Sequence, residues 1–402
     1  MLHIHFGTGR LGLGLVAPFF QKPGSELHLL NRAVSGSKAT GETSLSAERR
    51  NDLLARGASY LIRPPGGAVR EAERVRYDDF HAYQDRDLER LLASILAGSA
   101  AKRHGVVVTA SVLAAANYAP VVRGLNALSA LKHRGEPLGR IFFVACENGL
   151  DAEEVLVDPT MSGLLSGETR RHVTGVRQLV DRLCVGLEGV ESDEGAAVLV
   201  SAETYGSLKL ELKPDTADFV ELCRGSRVEF SRHVDIEAKI KSWLLNGTHS
   251  LIALAAFQAS GGCQDLKLNE YLAESEVNRA FAIEVMHEMR EGAAIALREP
   301  RYAAFARDVD VGAYLEGAAD AILARFFETE DPIARILARF RAPTPKAAKT
   351  IELFSKRFED RVGEPISAYE HENGHAPPAA SHSLLSFERL VASGTFVEQR
   401  AP

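Results

Sequence analysis

Lys241, Asn246 and His249 lie in the run Lys-Ser-Trp-Leu-Leu-Asn-Gly-Thr-His, most of whose other members are apolar. On a helix turning about 100° per residue, Lys241, His249 and Asn246 fall at about 0°, 80° and 140°, three polar groups in one arc. A helix that is hydrophobic nearly all round is buried, and a buried lysine either pairs with a charge or works through a lowered pKa. Such a lysine can take a proton from an alcohol at moderate pH while an asparagine amide donates a hydrogen bond to the developing alkoxide. The same residue types also suit a surface lysine at a helix start with a satisfied core histidine and asparagine, so these residues alone leave both readings open.

The second cluster is Gly7-Thr8-Gly9-Arg10-Leu11-Gly12, set between an alternating strand and the apolar segment 13–20. The first glycine permits a tight turn, the second lets a pyrophosphate approach the backbone, and the third allows close helix packing. The helix N-terminus then faces the phosphate charge, which predicts dinucleotide binding. A second strand ends at Asn31, about 20 residues on, where an NAD-selective site usually carries Asp or Glu. An uncharged Asn31 followed by Arg32, with Ser35 and Ser37 nearby, predicts NAD(P) use leaning to NADP, because a guanidinium grips the 2′-phosphate. The alternative has Asn31 on the ribose hydroxyls of NAD and Arg32 pointing to solvent. Residues that follow the other strands, Thr109-Ala110-Ser111 and Glu147-Asn148, share the same expected crevice beyond the carboxyl ends of the sheet.

These residues need a scaffold, and the chain supplies two patterns. From the start to about residue 236 short β-branched runs alternate with helical segments, the mark of βαβ units and a mostly parallel sheet. Strands are expected at Leu2–Phe6, Glu26–Leu30, 105–108 and 140–144, with 197–202 and 207–212 forming an antiparallel pair appended to that sheet. Beyond Ile236 the strand signal stops and Leu, Ala, Arg and Glu at helical spacing take over. The expected organisation is an α/β domain of doubly wound type over 1–236, an all-helical catalytic and substrate domain over 237–370, and a polar tail over 371–402.

Composition narrows the function classes. Hydrophobic residues make up 46% and charged residues 25% of 402 residues, values of a folded globular chain. A net charge of −7 argues against nucleic acid as the main partner. The uncharged stretch 105–122 is interrupted by Thr109, Ser111, Asn117 and Pro120, so no membrane span is expected. The N-terminal Met-Leu-His-Ile-His-Phe has no Lys or Arg ahead of an apolar run, which predicts no secretory signal and a cytoplasmic protein. Cys146, Cys184, Cys223 and Cys263 include no Cys-x-x-Cys and are read as reduced thiols. His371-Glu372-Asn373-Gly374-His375 matches the zinc-protease pattern, but its Asn and Gly and the following Pro377 and Pro378 oppose the helix that pattern needs, so no metal is expected.

Taken together, the spacing Lys241, Asn246, His249 after an N-terminal glycine turn resembles the polyol-specific long-chain dehydrogenases/reductases, whose signature is Lys-x-x-x-x-Asn-x-x-His. Ala145-Cys146-Glu147-Asn148 is similar to the family segment supplying a second asparagine, and Val180-Asp181-Arg182 to one containing an active-site aspartate. The resemblance covers most of residues 1–290. It implies a Rossmann-type domain followed by a helical domain and metal-independent hydride transfer between a nicotinamide cofactor and a polyol or polyol phosphate. Lys241 is then the general base, Asn148 and Asn246 polarise the carbonyl oxygen, His249 orients a substrate hydroxyl, and Asp181 supports the lysine or binds substrate. Glu203-Thr204-Tyr205-Gly206-Ser207-Leu208 stands where the family carries Glu-x-x-x-x-Trp, without the Trp. The length is similar to the mannitol-phosphate branch, with Arg177 and Arg182 available for a phosphate, while Asn246-Gly247-Thr248-His249-Ser250 looks more like the free-polyol branch. Only Ile336-Leu337-Ala338-Arg339-Phe340 echoes the family beyond residue 299. A non-catalytic nucleotide-binding redox sensor is the competing class, and the oligomeric state is left open.

Overall fold

The computed structural model describes residues 1–33, 45–113, 117–147, 151–261, 266–333, 336 and 347–383, without the side chains of 159 and 347–357. Asn148, Ser35, Ser37, Cys263, Leu337 to Phe340 and the last part of the expected tail, 384–402, lie outside the described residues. The chain divides into two compact units, Met1–Asp235 and Ile236–Pro402.

The strands of the first unit are β1 Leu2–Phe6, β2 Glu26–Arg32, β3 Ser59–Arg63, β4 Glu73–Arg76, β5 Asp79–Tyr83, β6 Val106–Ala110, β7 Ile141–Ala145, β8 Val173–Gly175, β9 Gln178–Asp181, β10 Cys184–Ser192, β11 Gly195–Ala202, β12 Ser207–Glu211 and β13 Glu229–Ser231. Six of them make one sheet in the order β5-β2-β1-β6-β7-β8, and every neighbouring pair is parallel. Numbered within the sheet, that is the 3-2-1-4-5-6 order of the doubly wound Rossmann fold. Sheets of this kind are covered on both faces, so their strands read as nearly continuous apolar runs such as Val-Val-Val-Thr-Ala and Ile-Phe-Phe-Val-Ala. β1 alternates, and both of its faces are buried. Leu2, Ile4 and Phe6 join the core under helices α3 (Leu88–Gly98) and α4 (Ala119–His133), while His3 packs on Phe20 with ring centroids 4.9 Å apart.

The expected pairing of 197–202 with 207–212 is corrected by the observed register. β11 lies between β10 and β3 in a four-stranded sheet, and β12 lies between β13 and β9 in a separate three-stranded one. The intervening Glu203 to Gly206 is therefore a crossing between sheets rather than a hairpin. Tertiary partners decided this: β11 completes the sheet begun by β3, and β12 covers the Phe142 and Phe219 rings, stacked 4.3 Å apart.

The described part of the second unit is helical apart from an isolated bridge between Lys267 and Pro332. Helix α5 (Val234–Lys241) runs through a π turn, Ser242–Gly247, into α6 (Thr248–Ala259). Around it lie α7 (Glu276–Ala296), α8 (Val311–Glu328) and α9 (Ala347–Asn373). One core joins them, with Trp243, Leu251, Ala282, Ala293 and Phe305 among its fully buried members. Glycines let the helices meet: a Cβ on Gly247 would lie 2.7 Å from the Arg361 carbonyl oxygen, and one on Gly292 would lie 2.1 Å from that of Pro365. The stretch expected as a tail from 371 is partly built into this unit. α9 continues to Asn373, and residues 378–383 form a further helical turn whose Ala380 and Ser383 are buried. The physical reason is Glu288, buried on α7, whose carboxylate accepts the Ala379 and Ala380 backbone N–H groups at 2.9 and 2.8 Å.

Candidate functional site

The glycine turn leaves β1 at Gly7, which has a φ of +99°. A Cβ at Gly7 would come 2.3 Å from the Ser111 carbonyl oxygen, and one at Gly12 would come 2.4 Å from both the Gly7 carbonyl oxygen and His5 Nε2. Internal packing alone therefore demands both glycines. Gly9 is different, because a Cβ there meets nothing within 4 Å. Its backbone faces open space at the carboxyl end of the central strand, which is the cradle a phosphate needs. Thr8 is buried and its hydroxyl accepts from Arg50 Nε at 3.1 Å. Arg10 is exposed and donates to the Val185 carbonyl at 2.9 Å, while Leu11 is half-buried against the core under the sheet.

Behind the turn runs a buried polar chain. The Thr109 hydroxyl lies 2.7 Å from both His3 Nε2 and His5 Nδ1. A hydroxyl has a single proton, so it donates to one ring and accepts from the other. His5 Nε2 then meets Ser111 Oγ at 3.3 Å, which also reaches the Gly7 carbonyl at 3.4 Å. Burial pushes His5 down to about 4, offset in part by a hydrogen bond with the Gly7 backbone, and holds His3 well below the usual imidazole range, so both rings are neutral. Thr109 and Ala110 thus belong to β6, which ends at Ala110, and Ser111 alone of that trio follows the strand.

At the end of β2, the Asn31 side-chain N–H donates to Asn51 Oδ1 at 2.8 Å, and Asn51 in turn donates to the Arg32 carbonyl at 3.1 Å. Arg32 is half-exposed and pairs with Asp85 at 3.3 Å, a carboxylate shared with Arg123 at 2.6 Å. At the end of β7, Glu147 Oε1 accepts the Leu113 N–H at 2.6 Å, and burial raises its pKa above the usual carboxylate value. That bond holds Leu113, 90% exposed, in the left-handed region at φ +79°. Gln178 Nε2 donates to the Ala145 and Glu147 carbonyls at 2.7 and 2.9 Å, fixing the segment that leads to Asn148.

Asp181 ends β9, half-buried and opposite Ser207 in the register. The arginines on either side are already engaged. Arg177 pairs with Glu153 at 2.7 Å and Asp151 at 3.3 Å, and Arg182 donates to the Glu203 carbonyl at 2.8 Å and to the Gly14 carbonyl at 2.5 Å. Both groups expected to be available for a substrate phosphate thus have partners within the chain, carboxylates for Arg177 and backbone carbonyls for Arg182.

In the second unit, Lys241, Asn246 and His249 are each half-buried, whereas Trp243, Leu244, Leu245, Gly247 and Thr248 between them are buried. The arc read from spacing falls on half-buried residues, the lysine among them rather than fully enclosed. The π turn refines it: widening the helix over Ser242–Gly247 reduces the rotation per residue and brings a residue five positions on nearer the face of Lys241. His249 Nε2 lies 3.4 Å from Asp331 Oδ2, and its ring stacks on Phe326 at 4.9 Å and 19°. The neighbouring Lys239 belongs to another cluster, with Glu364 at 2.8 Å and the Tyr302 hydroxyl at 2.6 Å.

His371 lies in the last turn of α9, whereas His375 follows Gly374 at φ +74° and contacts the Ala376 carbonyl at 3.0 Å, so the two do not share a helical face. Among the described residues no group of three or more His, Cys, Asp or Glu is placed to hold a metal ion, and no helix is long and apolar enough to cross a membrane. Arg50, Asn51, Gln178 and Asp331 escaped the sequence reading, since none belongs to a motif and each is recognised only by what it touches.

No protein-family model and no curated protein matches the chain. Solved structures do. A D-sorbitol dehydrogenase in substrate-free form is similar with a TM-score of 0.59 at 14% identity, over 96% of this chain and 80% of that one. A Pseudomonas fluorescens mannitol 2-dehydrogenase, in ternary complex with NAD and D-mannitol, is similar with a TM-score of 0.54 at 15% identity, over 98% of this chain and 91% of that one. The likeness is one of fold. This chain is an α/β protein with a Rossmann-type sheet, followed by a helical unit.

Proposed function

We propose that the protein is an oxidoreductase that transfers a hydride between a nicotinamide cofactor and a secondary alcohol of a polyol or polyol phosphate, in the manner of a mannitol-1-phosphate 5-dehydrogenase or a free-polyol dehydrogenase. The observation that carries the reading is the glycine turn at the carboxyl end of the central Rossmann strand, closed by packing at Gly7 and Gly12 and open at Gly9. The residues that would hold the dinucleotide are Gly7 to Gly12 at its diphosphate, Asn31 and Arg32 at its ribose, and Ser111 with the Asn148 segment nearer the nicotinamide. The bound nicotinamide supplies the hydride acceptor or donor. Lys241 takes the proton of the substrate hydroxyl in oxidation and returns it in reduction. The amides of Asn246 and Asn148 donate to the oxygen as charge develops on it, His249 orients a second hydroxyl, and Asp181 supports the lysine or binds substrate.

Cofactor choice is proposed as NAD(P) leaning to NADP, on the uncharged Asn31 and a cationic neighbour. The Arg32–Asp85 bridge is exposed, and such pairs are weak enough to yield to a phosphate. A second reading has a specific observation in its favour. Arg177 and Arg182 are engaged internally, which supports a free polyol over its phosphate, and the two similar structures are dehydrogenases of sorbitol and mannitol. Nicotinamide absorbance followed with sugar alcohols, their phosphates and the matching ketoses, using both cofactors, tests both readings. Turnover of at least one polyol or ketose is expected; cofactor binding without turnover on any member would favour a redox sensor.

A further inference from the structure

Helix α2 (Ala47–Arg56) carries three arginines that are treated differently. Arg49 and Arg56 each bind Asp52, at 2.8 and 2.7 Å. Arg50 lies half-buried between them with no carboxylate partner among the described residues, and its Nε donates to Thr8 Oγ1 inside the glycine turn. The next residue, Asn51, bonds both Asn31 and Arg32 at the end of β2. One turn of α2 thus spans the two places where a Rossmann sheet meets a dinucleotide, the loop after its first strand and the tip of its second. Removing a guanidinium from water without an anion is costly, and burial pulls this one below its ordinary range. The Nε bond to Thr8 sets the plane of the group and leaves both terminal nitrogens, the fork that matches a phosphate bidentately.

We infer that Arg50 is a phosphate ligand of the bound dinucleotide, held in place by Thr8, and that it receives either the diphosphate beside Gly9 or a 2′-phosphate beside Asn31. This inference rests on the dinucleotide reading of the glycine turn and adds to it a residue from outside the turn and the second strand. Arg32 differs in having a counter-ion already, Asp85.

The test is equilibrium binding, by calorimetry or by fluorescence of the reduced cofactor, of NADPH, NADH, 2′,5′-ADP and inorganic pyrophosphate to wild type, Arg50→Gln and Arg50→Lys, with thermal melts of each variant. Loss of a charged hydrogen-bonding partner predicts roughly 10- to 100-fold weaker dinucleotide binding in Arg50→Gln, with partial recovery in Arg50→Lys. Loss confined to NADPH and 2′,5′-ADP assigns the 2′-phosphate; equal loss for NADH and pyrophosphate assigns the diphosphate. Wild-type affinity for every ligand in a folded Arg50→Gln overturns the inference. A wild-type protein that binds neither dinucleotide overturns the reading beneath it; Arg50 then survives as an anion site only if 2′,5′-ADP or pyrophosphate binds wild type and not Arg50→Gln. Should Arg50→Gln melt early, the partial recovery in Arg50→Lys decides, since a purely structural role would not make recovery depend on the ligand's phosphate.

Discussion

Lys241, Asn246 and His249, with Ser242, are the half-buried positions of an otherwise buried stretch, and the proposed mechanism gives the role of proton acceptor to Lys241. Lys241→Ala is expected to lower turnover by ~10²- to 10⁴-fold while dinucleotide affinity stays at the wild-type value, as read by steady-state rates beside a binding titration. Turnover near wild type would remove the lysine from the chemistry. The glycines give a paired prediction. Gly7→Ala places a Cβ 2.3 Å from a backbone oxygen at a φ of +99°, and its melt should show a loss of roughly 1–3 kcal/mol or more. Gly9→Ala has open space and should keep stability within about 0.5 kcal/mol while weakening dinucleotide binding. His5 titrates at about 4 in the folded protein against an ordinary 6.5, so between those values the unfolded chain binds more protons. Its stabilising contribution is fully present above pH 6.5 and is lost as the pH falls toward 4, about 3 kcal/mol in all. Urea midpoints measured across that range should decline steeply in wild type and less steeply in His5→Gln.

Among the elements, the helix of the second unit and its π turn act as one device. An uninterrupted α-helix would hold Asn246 farther round from Lys241, and the wider turn is accommodated because Gly247 lets the backbone of α9 approach. The 378–383 turn shows the same economy of parts, since the N–H groups of Ala379 and Ala380 in its first turn are satisfied by one buried carboxylate of α7. Glu288→Leu leaves those donors unsatisfied and is expected to cost about 1–3 kcal/mol. Amide exchange should accelerate at Ala379 and Ala380 first; unchanged protection there would mean that packing of Ala380, not the carboxylate, holds the turn.

At the scale of the whole molecule, each unit has a core of its own. Among the described residues the largest cluster draws only on the helical unit, and the remaining clusters draw only on Met1–Asp235. A fragment of residues 1–235 is therefore expected to fold cooperatively, to bind dinucleotide through the glycine turn and to show no turnover, because Lys241 is absent. Circular dichroism melts and cofactor titration of that fragment check this, and a fragment that stays unfolded would show that the first unit depends on the second.

Local chemistry was enough to read the glycine turn, the four core strands to within two residues at each end, and the change from α/β to helix near residue 236. Each of these depends on a short-range rule: a φ value only glycine tolerates, a helical or strand period, a run apolar enough to be buried on both faces. What tertiary structure alone decided are partnerships between residues far apart in the chain. Whether 197–202 pairs with 207–212 depended on which sheet edges stood open, and β3 and β9 claimed one strand each. The engagement of Arg177, Arg182 and Arg32 depended on carboxylates and carbonyls that no spacing rule foretells. The partnership of Arg50 with Thr8, 42 positions away, has the same origin, since no motif or spacing links the two residues.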